Sequence, residues 1–158
     1  MSSTGLTASA LGAALRSERA GVQALLETLT EERALLASGE IDRLAEIATR
    51  KRGLLLHVAN LGDHRKRLLD RAGIRIDRSG LTGLAQGRMH EVESEWQALV
   101  DLTRKAHCLN QENGAHIEAG MLTNQQALSV LMSAASSTTY GPGGRTSSSL
   151  ASRSHTSA

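Results

Sequence analysis

The chain has 158 residues, a formal net charge of +2, and 40% hydrophobic but only 1% aromatic residues. Its first 118 residues hold 16 basic and 16 acidic side chains, so nucleic acid would find no basic excess to bind. No run approaches the ~18 apolar residues of a membrane-spanning helix, the first residues lack the pattern of a signal peptide, and Cys108 has no second cysteine to pair with. We therefore expect a cytoplasmic single-domain protein without nucleic-acid binding or membrane insertion.

A core of leucine, alanine, isoleucine and valine with almost no aromatic rings suits long helices packed side by side. Residues 11–38 repeat apolar side chains at three- and four-residue steps, which predicts a first helix, although Glu18 and Glu32 interrupt its apolar seam. Residues 41–72 keep a heptad-like spacing and predict a second helix, with Lys51 and Arg65 on its seam. We expect the stems of these two cations to pack while their charges reach water.

Glycines mark the ends of both predicted helices. Gly39 and Gly73 occupy positions where a left-handed residue commonly ends a helix. Only two residues separate the helices, which predicts an antiparallel hairpin. Residues 73–88 then form a glycine-dotted connection, in which we expect Leu81 and Leu84 to make a helical turn.

The third helical pattern starts near Met89 and continues either as one long helix or as two nearly collinear helices, with weak points at Gly114 and Gly120. Half of the last 26 residues are serine or threonine, which is typical of a disordered tail. The sequence thus predicts an all-α fold. We expect an elongated antiparallel bundle of three to four long helices with coiled-coil-like packing over residues 1–136, and a flexible Ser/Thr-rich tail over residues 137–158.

Residues suited to catalysis or metal binding are sparse. Cys108, Glu112 and His116 recur every four residues along one helix face, but one helix with mixed ligands is a weak metal signal. Nucleophilic catalysis at Cys108 would need a base and an orienting group that the sequence does not identify. The basic clusters at 50–52 and 65–67 are interpreted as solvated charge, with an acidic protein partner or nucleic acid as alternatives. We predict no enzyme activity, no cofactor and no metal site.

The segment from residue 110 to residue 144 stands out by its lack of charge. Glu118 is the last acidic residue of the chain, and an apolar helical pattern continues from Met121 to Met132. This pattern fits a fourth bundle helix that packs on its own hairpin, and it equally fits an amphipathic strip that captures a partner helix. Burial of its three leucines would contribute ~5–9 kcal/mol in either case, so both interpretations stay open at this point.

Several motifs resemble the FlgN family of flagellar export chaperones. In the helical hairpin they are Lys51-x-x-Leu54-Leu55, Arg67-Leu68-Leu69 and Gly73-Ile74. The more specific C-terminal motifs are Asn110-x-x-Asn113-Gly114-x-x-Ile117, Asn124-Gln125-Gln126-Ala127-Leu128-x-x-Leu131 and Thr139-Tyr140-Gly141-x-x-Gly144. The resemblance covers about residues 8–144.

The resemblance implies a non-enzymatic cytoplasmic chaperone of bacterial flagellum biogenesis and type III protein export. Such chaperones bind the C-terminal segments of the hook–filament junction proteins FlgK and FlgL, prevent premature assembly, and deliver them to the export gate, where FlhA is a docking partner. We expect Tyr140 to contact the export gate. The expected cargo-binding residues are Asn113, Ile117, Met121, Leu122, Gln125, Leu128, Leu131 and Met132. The alternative is a structural coiled-coil or oligomerisation protein with no export cargo.

Overall fold

Long helices dominate the computed structural model, which describes residues 3–77, 80–82 and 89–139. In chain order the elements are helix α1 (Ser3–Ser38), helix α2 (Ile41–Ala72), strand β1 (Arg75–Asp77), strand β2 (Gly80–Thr82) and helix α3 (Met89–Thr139). The third helical pattern forms one continuous helix, and Gly114 and Gly120 lie inside it. The chain divides into two compact units, Met1–Glu118 and Ala119–Ala158, and the helical packing described next belongs to the first.

Helices α1 and α2 form the predicted antiparallel hairpin. Ion pairs fix their relative direction, because Glu18 of α1 pairs with Arg65 of α2 whereas Glu31 pairs with Arg50. Residues later in α1 therefore pair with residues earlier in α2, as in two antiparallel helices. Gly39 makes the reversal between the helices with a φ of +75°, a left-handed backbone that glycine adopts without strain.

The connection after α2 differs from the prediction. Gly73 ends the helix with a φ of +65°, as its position in the sequence predicts. The predicted helical turn at Leu81 is wrong, because Leu81 pairs with Ile76 in a short antiparallel β-hairpin; Leu84 lies outside the described residues. Ile74 and Ile76 are separated by one polar residue, a two-residue alternation typical of strands, and Ile74 is buried in the core.

Helix α1 supplies half of the core residues of the first unit. Its largest buried side chains pack against apolar residues of both other helices. The core residues are Leu11, Leu15, Val22, Leu25 and Leu29 of α1, Leu69 of α2, Ile74, and Val92, Leu99 and Ala106 of α3. Helix α3 runs in the same direction as α1, because Arg19 pairs with Glu95 and Arg33 pairs with Glu112.

The charged residues that interrupt the two seams pair with each other. Lys51 Nζ lies 2.6 Å from Glu32 Oε1, and Arg65 Nε lies 2.6 Å from Glu18 Oε2. The prediction that the charges of Lys51 and Arg65 reach water is therefore wrong, since these side chains are only 20% and 19% exposed and their glutamates 4% and 8%. Fourteen residues, two heptads, separate the charged positions on each helix, so one antiparallel register satisfies both pairs.

Helix α3 completes both ion pairs. The guanidinium of Arg65 stacks over Trp96, with its Cζ atom 5.0 Å from the ring centroid. At the other pair, Asn113 Nδ2 donates to the carbonyl oxygen of Leu29 at 2.8 Å and to Glu32 Oε2 at 2.9 Å. The first unit therefore contains two polar crosslinks that each join three helices. We call them the Arg65 crosslink (Glu18, Arg65, Trp96) and the Lys51 crosslink (Glu32, Lys51, Asn113).

Candidate protein-binding surface

The second unit exposes a dense set of apolar side chains. Every side chain described from residue 119 to residue 134 is exposed. Six large apolar residues among them retain 56–70% of their surface and define the C-terminal strip: Met121, Leu122, Leu128, Val130, Leu131 and Met132. Between residues 119 and 139 the sequence has no acidic or basic side chain. A contiguous apolar surface of this kind marks a binding site more often than a solvated face.

The strip has a defined geometry around the helix. At 3.6 residues per turn, Met121, Leu128 and Leu131 fall within an arc of about 80°, which also contains Asn124. Leu122 lies about 100° and Val130 about 180° from Met121 around the axis. The apolar surface therefore has one ordered stripe and additional residues on other sides of the helix, so a partner could contact more than one side.

Local interactions alone give the strip modest helical stability. Glutamine, alanine and leucine between residues 125 and 128 are good helix formers. The hydroxyl of Thr123 donates to the Ala119 carbonyl at 3.0 Å, and that of Ser133 donates to the Val130 carbonyl at 2.8 Å, which adds little because such bonds compete with helix geometry. Helical segments of this length are marginal in water without tertiary packing, so a bound partner would stabilise the helix.

The residues predicted to bind cargo occupy three different settings. The C-terminal strip includes five of them, and Gln125 is an exposed neighbour. Ile117 belongs to the first unit and is 39% exposed. Asn113 is only 2% exposed and belongs to the Lys51 crosslink, so the structure gives it a packing role. Tyr140, predicted to contact the export gate, lies outside the described residues.

An apolar groove in the first unit is a feature that the sequence interpretation missed. It has a volume of about 210 Å³ and is lined by side chains of all three helices. Its apolar lining consists of Val22, Leu25, Leu29, Leu55, Val58 and Ala106. Leu55 stays 47% exposed, and its position beside the heptad seam of α2 was the signal available in the sequence.

The residues considered for chemistry form ordinary polar contacts. The thiol of Cys108 donates to Glu112 Oε1 at 3.4 Å, and Glu112 pairs with Arg33 at 2.6 Å. The hydrogen bond to Glu112 and the negative charge of its carboxylate raise the pKa of the exposed thiol, against a smaller lowering by Arg33. An activated nucleophile needs the opposite shift. In the part of the chain that the structure describes, no group of three or more His, Cys, Asp or Glu side chains could hold a metal ion.

The basic clusters are partly neutralised within the bundle. Arg50 contacts Glu31 at 2.7 Å and Glu46 at 3.5 Å, while Lys51 and Arg65 belong to the two crosslinks. The interpretation as solvated charge therefore fits the four exposed basic residues of the clusters, Arg50, Arg52, Lys66 and Arg67, but not Lys51 and Arg65. Within the described ranges, no helix combines the length and apolarity needed to cross a membrane.

The first unit is a helical bundle, and the second unit presents an exposed, uncharged apolar helix of the kind that can bind another helix. A sequence model described as "FlgN protein" matches residues 1–148. The chain therefore belongs to the FlgN family of flagellar chaperones, which confirms the resemblance of its motifs.

Two relatives illustrate the similarity. The flagella synthesis protein FlgN of Proteus mirabilis is 32% identical over 124 residues, which cover 77% of this chain and 80% of the relative. The protein of the same name from Salmonella typhimurium is 40% identical over 57 residues, covering 36% of this chain and 41% of that protein. No solved structure matches the chain.

Proposed function

We propose that this chain is a cytoplasmic type III export chaperone that binds the C-terminal segments of FlgK and FlgL, prevents their premature assembly, and delivers them to the export gate. Family membership supports the flagellar role. The observation that carries the cargo-binding part is the C-terminal strip, six apolar side chains left 56–70% exposed in a segment without charge.

The chemistry of the strip suits an amphipathic cargo helix. Met121, Leu128 and Leu131 present one stripe, and Leu122 and Met132 extend the apolar surface around the helix. Gln125 lies at the edge of the stripe, where its amide can bond to a polar group of the cargo. Methionines adapt their shape to different partners, which suits a chaperone for two related cargoes. The other candidate, Ile117, precedes Met121 by four residues on α3.

Approximate energies favour a reversible complex. Burial of three leucines of the strip contributes ~5–9 kcal/mol at ~1.5–3 kcal/mol each. Ordering of the cargo segment opposes binding by ~2–5 kcal/mol. Together with the remaining contacts, the difference fits a dissociation constant in the micromolar range. Such a complex protects the cargo but releases it when the export machinery binds the cargo more tightly.

A calorimetric titration tests cargo binding. Peptides that match the C-terminal segments of FlgK and FlgL should bind the full chain, and Leu131→Ala should weaken binding roughly tenfold to thirtyfold because it removes about 2 kcal/mol of apolar burial. Leu56→Ala is a matched control, because Leu56 on α2 is 66% exposed and Leu131 is 65% exposed. Absence of wild-type binding at tens of micromolar, or equal losses in the two variants, would contradict the proposal.

Delivery to the gate is assigned to Tyr140. An aromatic residue beside glycines can supply much of the energy of a small contact, and FlhA is the proposed partner. Tyr140→Ala should reduce co-sedimentation with FlhA while leaving the affinity for the cargo peptides within twofold of wild type. A large loss of cargo affinity in this variant would instead place Tyr140 in the cargo site.

A further inference from the structure

We infer that the apolar groove of the first unit is a second protein-binding site, and that it receives an amphipathic helix with acidic residues beside its apolar face. The groove lies between the two crosslinks, because every residue that lines it falls between the crosslink residues of its own helix. Lys51 and Arg65 are fourteen residues apart on α2. The two ends of the groove are therefore about 21 Å apart, the length of roughly four turns of a partner helix.

The side chains in the middle of the groove are too short to close it. At both ends, long polar side chains join the helices, but between them α3 contributes Thr103 and Ala106 and α2 contributes Leu55 and Val58. Leu55 remains 47% exposed although it faces an apolar floor formed by α1. The volume of about 210 Å³ is below the ~300–1,000 Å³ of small-molecule pockets. It suits one or two bulky apolar side chains that project from a partner helix.

The α2 side of the groove is basic and has no acidic residue. No aspartate or glutamate occurs between positions 47 and 62 of this helix. Arg52 is exposed one helical turn before Leu55, and no ion pair between described residues involves it, whereas Arg50 and Lys51 each pair with a glutamate. Arg52 is therefore available to a carboxylate of a partner.

The α3 side has the same character. No acidic residue occurs between positions 102 and 111, the segment that contains all the α3 residues lining the groove. Arg104 in this segment is 74% exposed, and its contact with Asp101 is 3.4 Å long. Acidic residues on both flanks of a bound helix would thus meet cations, whereas basic flanks would be repelled. This charge pattern favours the acidic protein partner over nucleic acid among the alternatives considered for the basic cluster at 50–52.

The groove and the C-terminal strip are separate surfaces. They belong to different units and share no residue. They also differ in chemistry, because the strip segment carries no charge whereas the groove selects acidic flanks. The inference therefore does not rest on cargo binding at the strip.

Two designed peptides test the site by fluorescence anisotropy with the full chain. Both are about four helical turns long and carry leucines at three- and four-residue steps, but the flanking positions are glutamate in one and lysine in the other. We expect the glutamate peptide to bind with a dissociation constant of roughly 10–100 µM, as for other small interfaces. The lysine peptide should bind about tenfold more weakly or worse.

Substitutions inside the groove locate the bound peptide. Ala106→Leu fills the space and should weaken binding of the glutamate peptide by about tenfold or more, while the melting temperature stays the same or rises. Leu55→Ala removes an apolar side chain at the edge and should weaken binding roughly fivefold. Because Leu55 is partly exposed, this variant keeps the test valid if Ala106→Leu overpacks the bundle. Leu56→Ala is the control, since Leu56 is 66% exposed and points about 100° away around α2.

A charge reversal tests the choice of partner. Arg52→Glu should weaken binding of the glutamate peptide about tenfold and strengthen binding of the lysine peptide, because the reversed charge repels one and attracts the other. Arg67→Glu is the matched control. Arg67 is exposed on the same helix but lies beyond Arg65, outside the length of the groove, so its reversal should leave both affinities within about twofold of the wild type.

Several results would overturn the inference. The glutamate peptide could fail to bind at several hundred micromolar, the two peptides could bind equally well, or the Leu55 and Ala106 variants could bind like the wild type. A loss of peptide affinity in Leu131→Ala as large as in Leu55→Ala would place the peptide on the strip, which also contradicts the inference. The titration with FlgK and FlgL peptides is a separate measurement, so failure of either result leaves the other intact.

Discussion

The Lys51 crosslink gives the sharpest test of how the bundle is held together. Asn113→Ala removes the amide that joins α3 to α1 through Leu29 and Glu32. Lys51 still contacts Glu32 Oε1, but Glu32 Oε2, on a side chain that is only 4% exposed in the wild type, loses the bond from Asn113. The substitution therefore removes one hydrogen bond from the buried Glu32 carboxylate and also deletes the hydrogen bond that Asn113 donates to the Leu29 carbonyl.

The expected loss follows from these contacts. A hydrogen bond to a charged group contributes about 1.5–3 kcal/mol, and one to a neutral carbonyl about 0.5–1.5 kcal/mol. Because water can enter the space left by the amide and recover part of this, we expect a net loss of about 2–4 kcal/mol. For a chain of this size, that corresponds to a fall in the melting temperature of roughly 5–15 °C.

Urea unfolding followed by circular dichroism and by the fluorescence of Trp96, the single tryptophan, measures the effect. The midpoint should fall with an unchanged m-value, since the variant alters stability rather than the surface exposed on unfolding. Asn110→Ala is the control, because it removes the same side chain three residues earlier on α3 at an exposed position and should change stability by less than ~0.5 kcal/mol. Equal effects of the two substitutions would refute the crosslink as a stabilising element.

Two further predictions concern the other polar groups of the bundle. Arg65→Lys should lower the free energy of unfolding by about 1–2 kcal/mol in thermal unfolding. Lysine keeps one contact to Glu18 but loses the second hydrogen bond and the planar stacking on Trp96. Unchanged stability would show that the stacking contributes nothing. Because Glu112 raises the pKa of Cys108, the thiolate forms at higher pH than in a free cysteine. Glu112→Gln should therefore shift the pH–rate profile of thiol alkylation to lower pH. An unshifted midpoint would show that Glu112 is not the cause of the raised pKa.

The helices could largely be predicted from the sequence, because their signals are local, although α1 begins at Ser3, eight residues before the predicted start. The predicted second helix, residues 41–72, coincides with α2, and Gly39 and Gly73 have the expected left-handed backbone. The β-hairpin was missed because three-residue strands provide too few positions for their alternation to outweigh the surrounding glycines. Sequence periodicity resolves long elements well and short ones poorly.

Pairing between helices was harder to predict than the helices themselves. The pattern of one helix shows that Lys51 and Arg65 lie on its seam, but not what faces them. To identify the facing residues, the register between α1 and α2 must be known. The sequence already indicated this register, because the two glutamates and the two cations are each fourteen residues apart. Asn113 illustrates the same limit for α3. The sequence pattern of an asparagine on a helix seam is the same whether its side chain contacts a buried carboxylate or a binding partner.

The helix seams of the bundle carry charged residues, whereas the C-terminal strip carries none, and this difference distinguishes the two kinds of seam in this chain. In the bundle, each charged seam residue needs its own counterpart at hydrogen-bond distance, so a shift of one helix along another would leave buried charges unpaired. Such a seam accepts a single partner in a single register. The C-terminal strip contains no charge, and the one polar residue of its stripe, Asn124, is exposed and has an amide that can both donate and accept hydrogen bonds. We expect a seam of this composition to accept apolar helices of different sequence at similar, moderate affinity. The same polypeptide therefore combines a bundle that is specified by buried ion pairs with a surface suited to binding and releasing a partner.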